Sequence, residues 1–245
     1  MTERVLILGA GSDIAAAVAR CYAAEGAALC LVAREKAQLE RMAADLAARG
    51  AGSVVVFGAD LGEVDEQHLD QWIAALGGLD ILLLAYGMMP DQELLMGSIS
   101  RHNQVLNTNF VSAAGWLQLS AQNMATAGGG KIAVVTSVAG DRARKPNYIY
   151  GASKSALGFF AEGLGLVMAD KGVHVCVVKP GQTRTRMTQH LDTQGPLWAD
   201  AAVVGKDIHR ALAAGRRVLY TPGRWRWIMA IIRAIPHAIF RRLNI

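Results

Sequence analysis

Residues 4–15 read Arg4-Val5-Leu6-Ile7-Leu8-Gly9-Ala10-Gly11-Ser12-Asp13-Ile14-Ala15. The branched apolar run predicts a buried strand, the paired glycines a tight turn, and the Ala-rich amphipathic stretch continuing to about Glu25 a helix. In that order, backbone N–H groups and the positive end of a helix dipole meet at one point, which is the arrangement that receives a dinucleotide's pyrophosphate. Gly9, Gly11, Ser12, Asp13 and Ile14 are the candidate contacts, and Asp13 is placed to cap the helix. A glycine loop alone specifies little, so the segments after it decide the fold.

Outward from that unit, Ala28–Ala33, Ser53–Gly58, Asp80–Ala85, Ile132–Ser137, Val173–Lys179 and Val218–Thr221 read as further strands. Helical periodicity runs through about 98–127, interrupted at Asn107-Thr108-Asn109, and again through about 150–170 and 200–214. Alternation of this kind predicts an α/β fold, a doubly wound parallel sheet of about seven strands with its site at the strand carboxyl ends. One catalytic domain is expected over 1–222, followed by a tail over 223–245.

The chain has 245 residues, enough to bury one large core, with 52% hydrophobic and 18% charged residues. That balance argues against disorder. Cys21, Cys30 and Cys176 lie apart in apolar segments, with neither a disulfide framework nor zinc spacing, and are expected to be buried thiols in a reducing cytoplasm. Gly9 and Asp13 interrupt the apolar N-terminus, so no signal peptide is expected. No metal site is predicted. Of the 25 Lys and Arg, seven lie from Arg216 onward, where no Asp or Glu occurs, so the remaining 18 face 20 acidic residues. The net charge of +5 therefore belongs to the tail, which lacks a reading helix, and no nucleic-acid partner is expected.

Chemistry concentrates in Tyr150-Gly151-Ala152-Ser153-Lys154, thirteen residues after Ser137. On a helix Tyr150 and Lys154 share a face. An ammonium beside a phenol stabilises the phenolate and moves its pKa from about 10 toward neutrality, which makes a usable proton donor. Ser137, at a strand end, can hold a carbonyl oxygen against that hydroxyl. Tyr148 has Ala152 at the matching position and no such partner.

This serine, tyrosine and lysine set, with the N-terminal glycine loop, resembles the short-chain dehydrogenase/reductase family over about Arg4 to Thr221. The resemblance implies hydride transfer from a nicotinamide cofactor to a ketone. Tyr150 would be the proton donor, Ser137 the oxygen's hydrogen-bond partner, Lys154 the tyrosine's cation and ribose ligand, and Asn109 the member of a water relay. It further implies Asp60 and Leu61 at the adenine, and Pro180 and Gly181 opening a loop with Thr183 or Thr185 on the phosphate side. Residues 184–198 would be a lid. The chain departs from the family at Leu8, Asp13 and Ala15, where a Thr and two further glycines are usual. It departs again at Leu84-Ala85-Tyr86-Gly87, where Asn-Asn-Ala-Gly is usual and Gly87 alone persists beside the cofactor.

Ala33 followed by Arg34 at the second strand end suits a 2′-phosphate and favours NADP(H) over NAD(H). Arg142, Arg144 and Lys145, between Ser137 and Tyr150, either meet an anionic substrate or form a solvated loop. The tail, Gly223 to Leu243, carries Trp225, Trp227 and arginines around an apolar face that Arg233 and Pro236 interrupt, too short a run to span a bilayer. It reads either as helices in a membrane interface at the inner face of the cytoplasmic membrane, or as a lid or subunit contact. The tail resembles that of reductases of keto-sugars carried by polyprenyl phosphates, including the reductase half of the decaprenylphosphoryl ribose epimerase. That likeness implies a lipid-linked ketone substrate. The alternatives are a soluble reductase of 3-oxoacyl thioesters or small ketones, and a non-catalytic NADPH-sensing protein. A homodimer or homotetramer is expected through the two long helices.

Overall fold

A computed structural model describes residues 2–243; Asn244 and Ile245, the last two residues of the expected tail, and Met1 of the expected domain lie outside the described residues. In chain order the elements are β1 (Arg4–Leu8), α1 (Asp13–Ala24), β2 (Ala28–Ala33), α2 (Lys36–Ala48), β3 (Ser53–Gly58), α3 (Glu66–Leu76) and β4 (Ile81–Leu84). Then come α4 (Gln92–Met96), α5 (Ile99–Leu106), a π-turn (Asn107–Val111), α6 (Ser112–Thr126), β5 (Gly130–Val135) and α7 (Tyr148–Met168). The chain continues through β6 (Val173–Pro180), β7 (Thr183–Arg184), β8 (Ala199–Asp200), α8 (Ala201–Ala213), β9 (Val218–Thr221), α9 (Trp225–Ala234) and α10 (His237–Phe240).

Seven strands form one parallel sheet in the order β3-β2-β1-β4-β5-β6-β9. The order reverses beside β1, so the crevice at the carboxyl ends of β1 and β4 is open to a ligand. Side chains alternate across each strand and build two cores. Val5 and Ile7 face α1, α2 and α8 with Leu39, Leu46, Val204 and Ile208. Leu6 and Leu8 face α3, α6 and α7 with Trp72, Trp116 and Leu157. Gly205 lets α8 lie directly on α1, since a Cβ there would stand 2.6 Å from that of Ala17. Cys30 and Cys176 are buried in these cores as expected, whereas Cys21 is partly exposed on α1.

The tail docks on the body. Trp225 and Met229 are buried on one side of α9 against Val138, with Tyr220, Ile228 and Ile232 around them. Arg142 donates to the carbonyls of Ile232 and Arg233 at 2.7 and 2.9 Å, two of the acceptors at the carboxyl end of α9. Its guanidinium lies 3.9 Å from the centroid of Phe240 in α10. Lys145 donates to the Arg241 carbonyl at 2.9 Å. On the other side of α9, Trp227 and Ile231 are 70% and 67% exposed. Among the described residues no helix is long and apolar enough to cross a membrane.

Candidate active site

The catalytic candidates come together where β5 ends and α7 begins. The Ser137 backbone is extended, and its hydroxyl accepts from the Ala139 N–H at 3.1 Å. Helix α7 starts two residues before Tyr150, so Tyr150 and Lys154 stand on its inner face and both are buried. Tyr148, which has Ala152 and no lysine four residues on, is exposed. Gly151 is needed here because a Cβ would meet the Ala139 carbonyl oxygen at 2.7 Å.

Burial raises the Tyr150 pKa, and the Ser137 hydroxyl and the Arg144 charge oppose that rise. Lys154 is pushed down to about 8 by burial and donates to the Val135 carbonyl at 3.0 Å. The Arg144 charge acts on the phenol, a contribution that the sequence reading did not assign, and the Lys154 ammonium donates to the end of β5. Arg142 and Lys145 are committed to the tail, so of the three loop cations only Arg144 stays with the phenol. Its Nε is buried and has no hydrogen-bond partner among the described residues, and desolvation lowers its pKa.

Asn109 is fully buried inside the π-turn, a local widening that brings its side chain between two elements. Its Oδ1 accepts from the Met88 N–H at 2.8 Å, and its Nδ2 donates to the Met88 carbonyl at 2.9 Å and to Ser153 Oγ at 3.0 Å. Ser153 in turn donates to the Tyr150 carbonyl at 2.7 Å. Asn109 therefore ties the β4 loop to α7. Gly87 lies against both, because a Cβ there would stand 3.0 Å from Asn109 Oδ1 and 3.2 Å from Lys154 Nζ. Tyr86, which stands where the family's alanine is usual, places its hydroxyl 3.0 Å from Ser112 Oγ.

At the other end of the crevice Gly9 has φ +87° and a Cβ would collide with Tyr86, 2.6 Å away. Ser12, and not Asp13, caps α1, its hydroxyl accepting from the Ala15 N–H at 3.3 Å. The Asp13 and Ile14 amides, first in the helix, have no intrahelical acceptor. Arg34 is exposed at the end of β2. Asp60 is exposed too and accepts from the Gly62 N–H at 2.9 Å, while Leu61 is buried with its carbonyl accepting from Trp116 Nε1 at 2.9 Å. Pro180 closes β6; Gly181 follows under Trp225, whose ring leaves no room for a Cβ. Thr183 is buried and donates to the Gly181 carbonyl at 3.1 Å, whereas the Thr185 hydroxyl lies 3.3 Å from Thr188 Oγ1.

These residues fit a dinucleotide along the crevice, with free amides at the glycine loop, a cation at the adenosine end, and Gly87, Lys154 and Tyr150 at the reacting end. Beside the reacting end is a pocket of about 560 Å³. Met88, Met89 and Pro90 form one wall, and Arg186, Met187 and His190 of the 184–198 segment the other. The sequence reading missed Ser153 and Arg186. Ser153 carries no signal apart from the helix, and Arg186 stands in a segment read only as a lid.

The sequence model of the family described as short chain dehydrogenase matches residues 3–195. An uncharacterized oxidoreductase of Mycobacterium tuberculosis is 34% identical over 241 residues, covering 98% of this chain and 96% of that protein. An uncharacterized oxidoreductase from the mprA 5′ region of Streptomyces coelicolor is 36% identical over 241 residues, covering 98% and 95%. Among solved structures, a short-chain dehydrogenase from Sphingobium yanoikuyae in complex with NADPH superposes with a TM-score of 0.82 at 25% identity, covering 96% of this chain and 97% of that one.

Proposed function

The chain belongs to the short chain dehydrogenase family and is an NAD(P)-dependent short-chain oxidoreductase; on that premise we propose that it is an NADPH-dependent carbonyl reductase. The observation that carries this reading is the convergence of Ser137, Tyr150 and Lys154 beside Gly87 and Asn109 at the strand carboxyl ends. A nicotinamide cofactor, when bound, supplies the hydride. Tyr150, its proton held by burial, gives that proton to the ketone oxygen, and Ser137 hydrogen-bonds the same oxygen. Lys154 is poised near neutrality to hold the ribose and to sustain the phenol's charge once the proton has left. Asn109 keeps the Met88 backbone and α7 in register, and so keeps the pocket wall and the acid together. Gly9, Gly11, Ser12, Asp13 and Ile14 line the diphosphate end, Asp60 and Leu61 the adenine end, and Pro180, Gly181, Thr183 and Thr185 the closing loop.

The exposed Arg34, and the NADPH held by the Sphingobium neighbour, support a preference for NADP(H) over NAD(H). The decisive experiment is a paired fluorescence titration of NADPH and NADH on the wild type and on Arg34→Ala, followed by turnover of Tyr150→Phe. Selective weakening of NADPH by Arg34→Ala, with Tyr150→Phe binding NADPH but oxidising none in the presence of a ketone, is the expected result. Unchanged turnover would remove Tyr150 from the mechanism.

For the substrate, the unpartnered Arg144 Nε beside Tyr150 supports a ketone carrying an anionic group, such as a keto-sugar on a polyprenyl phosphate. Exposed Trp227 and Ile231 among arginines support contact of the tail with the inner face of an anionic membrane by an otherwise cytoplasmic enzyme. The burial of Trp225 and Met229 favours a second reading, in which the tail braces the active-site loop of a soluble 3-oxoacyl or small-ketone reductase. Phe159, Leu166 and Val167, exposed on α7, support a homo-oligomer.

A further inference from the structure

Asp13 is the oddest member of the glycine loop, because a carboxylate at the start of α1 would repel the phosphates expected there. Its partner comes from the far end of the chain. The Arg186 backbone N–H donates to Asp13 Oδ2 at 2.7 Å and its Nε donates to Asp13 Oδ1 at 3.1 Å. Arg186 Nη2 also donates to the Gly11 carbonyl. The Gln38 side-chain amide, oriented with its oxygen toward the guanidinium, accepts from Nη1 and Nη2 at 3.0 and 3.2 Å. One arginine of the 184–198 segment thus lies across the glycine loop from β7's end to α2. The same residue lines the pocket beside Met88.

Every group that holds this guanidinium is an oxygen acceptor, carboxylate or carbonyl, so the loop there attracts a cation and supplies no positive side chain for a diphosphate. The pair is also largely open to water, with side-chain exposures of 55% for Arg186 and 33% for Asp13, which makes it cheap to re-aim. Resting on the reductase reading above, we propose that Arg186 is a diphosphate ligand of the dinucleotide, with Asp13 as the counter-charge that seats it over the loop before the cofactor arrives. The half-exposed guanidinium exchanges the Gln38 and Gly11 oxygens for those of the diphosphate, while Asp13 keeps hold of the segment through the Arg186 backbone N–H. The 184–198 segment is then held at the loop before the cofactor binds, and the carboxylate there is neutralised throughout.

The test is fluorescence titration of NADPH and NADH on the wild type, Arg186→Gln, Asp13→Asn and the double variant, at low and high salt. Loss of a charge-assisted contact should weaken both cofactors in Arg186→Gln by the same factor, about tenfold or more, with a shallower salt dependence. Asp13→Asn, whose side-chain oxygen can still accept from the Arg186 backbone N–H while the charge that repels the phosphates is gone, should bind NADPH at least as tightly as the wild type. The double variant should bind more tightly than Arg186→Gln, because the stranded carboxylate is gone. Equal weakening by Asp13→Asn and Arg186→Gln, tracking a common fall in Tm, would make the pair a mere segment anchor and overturn the proposal. A loss confined to NADPH would move Arg186 to the 2′-phosphate and overturn the diphosphate assignment. If the wild type binds and Arg186→Gln binds equally well, this inference alone fails; if the wild type binds neither cofactor, the reductase reading fails and takes this inference with it.

Discussion

The Lys154 ammonium donates to the Val135 carbonyl at 3.0 Å, so the helix that carries the phenol is joined to the end of β5 through a buried cation. Burial pushes that lysine from 10.5 down to about 8. Between those values the unfolded chain holds the proton and the folded chain does not, so this group makes stability rise as pH rises through the window. Buried Cys30 and Cys176, pushed up to about 12, act in the opposite sense above about pH 9. The difference between the wild type and Lys154→Met isolates the lysine. In denaturant titrations from pH 7 to 10.5 the wild type should gain on the variant by on the order of 3 kcal/mol. Parallel stability curves would place the Lys154 pKa at its ordinary value.

Arg144 lowers the Tyr150 pKa against the rise that burial causes. Reduction needs the protonated phenol, so Arg144→Gln should move the alkaline limb of the reduction pH profile upward, while Arg144→Lys should keep it near the wild-type position. The same Arg144→Gln variant should lose more kcat/KM on an anionic ketone than on its neutral ester. An unmoved limb would mean that the guanidinium does not act on the phenol.

Two tryptophans two residues apart separate the tail's roles. Trp225 is buried against Gly181 and Val138, so Trp225→Ala should cost about 3–5 kcal/mol and lower Tm by several degrees. Trp227 is exposed, so Trp227→Ala should leave Tm unchanged and reduce co-sedimentation with anionic vesicles. Vesicle binding untouched by Trp227→Ala would leave the tail as a brace only.

Asn109 satisfies both the N–H and the carbonyl of Met88, a residue of the pocket wall. Asn109→Ala should destabilise the fold by about 1–3 kcal/mol for each buried group left unpaired. It should also raise KM for the ketone more than Kd for NADPH, because the wall moves and the glycine loop does not. A kcat defect with KM unchanged would point instead to the proton relay.

Much of the site follows from local spacing. Arg34 stands where a strand ends, and Tyr150 and Lys154 share a face because four residues make one helical turn. The π-turn at Asn109 was visible only as a break in periodicity, since the carbonyl and hydroxyl that its amide serves lie on Met88 and Ser153, 21 and 44 residues away. The three cations at 142, 144 and 145 looked alike in sequence; only the docked tail, which takes up the first and the last, sets Arg144 apart.

By itself, the sequence determined the run of strands and helices, the glycine loop, and the acid and its neighbours. Those properties are encoded in repeats of two and of about 3.6 residues, which a linear pattern reveals. Tertiary structure decided which cation reaches the phenol, that Ser12 caps the helix while Asp13 is left for Arg186, and that Trp225 closes over Gly181. Asp13 and Arg186 are 173 residues apart, and the only thing that makes them neighbours is the parallel sheet bringing two strand ends to the same edge of the molecule.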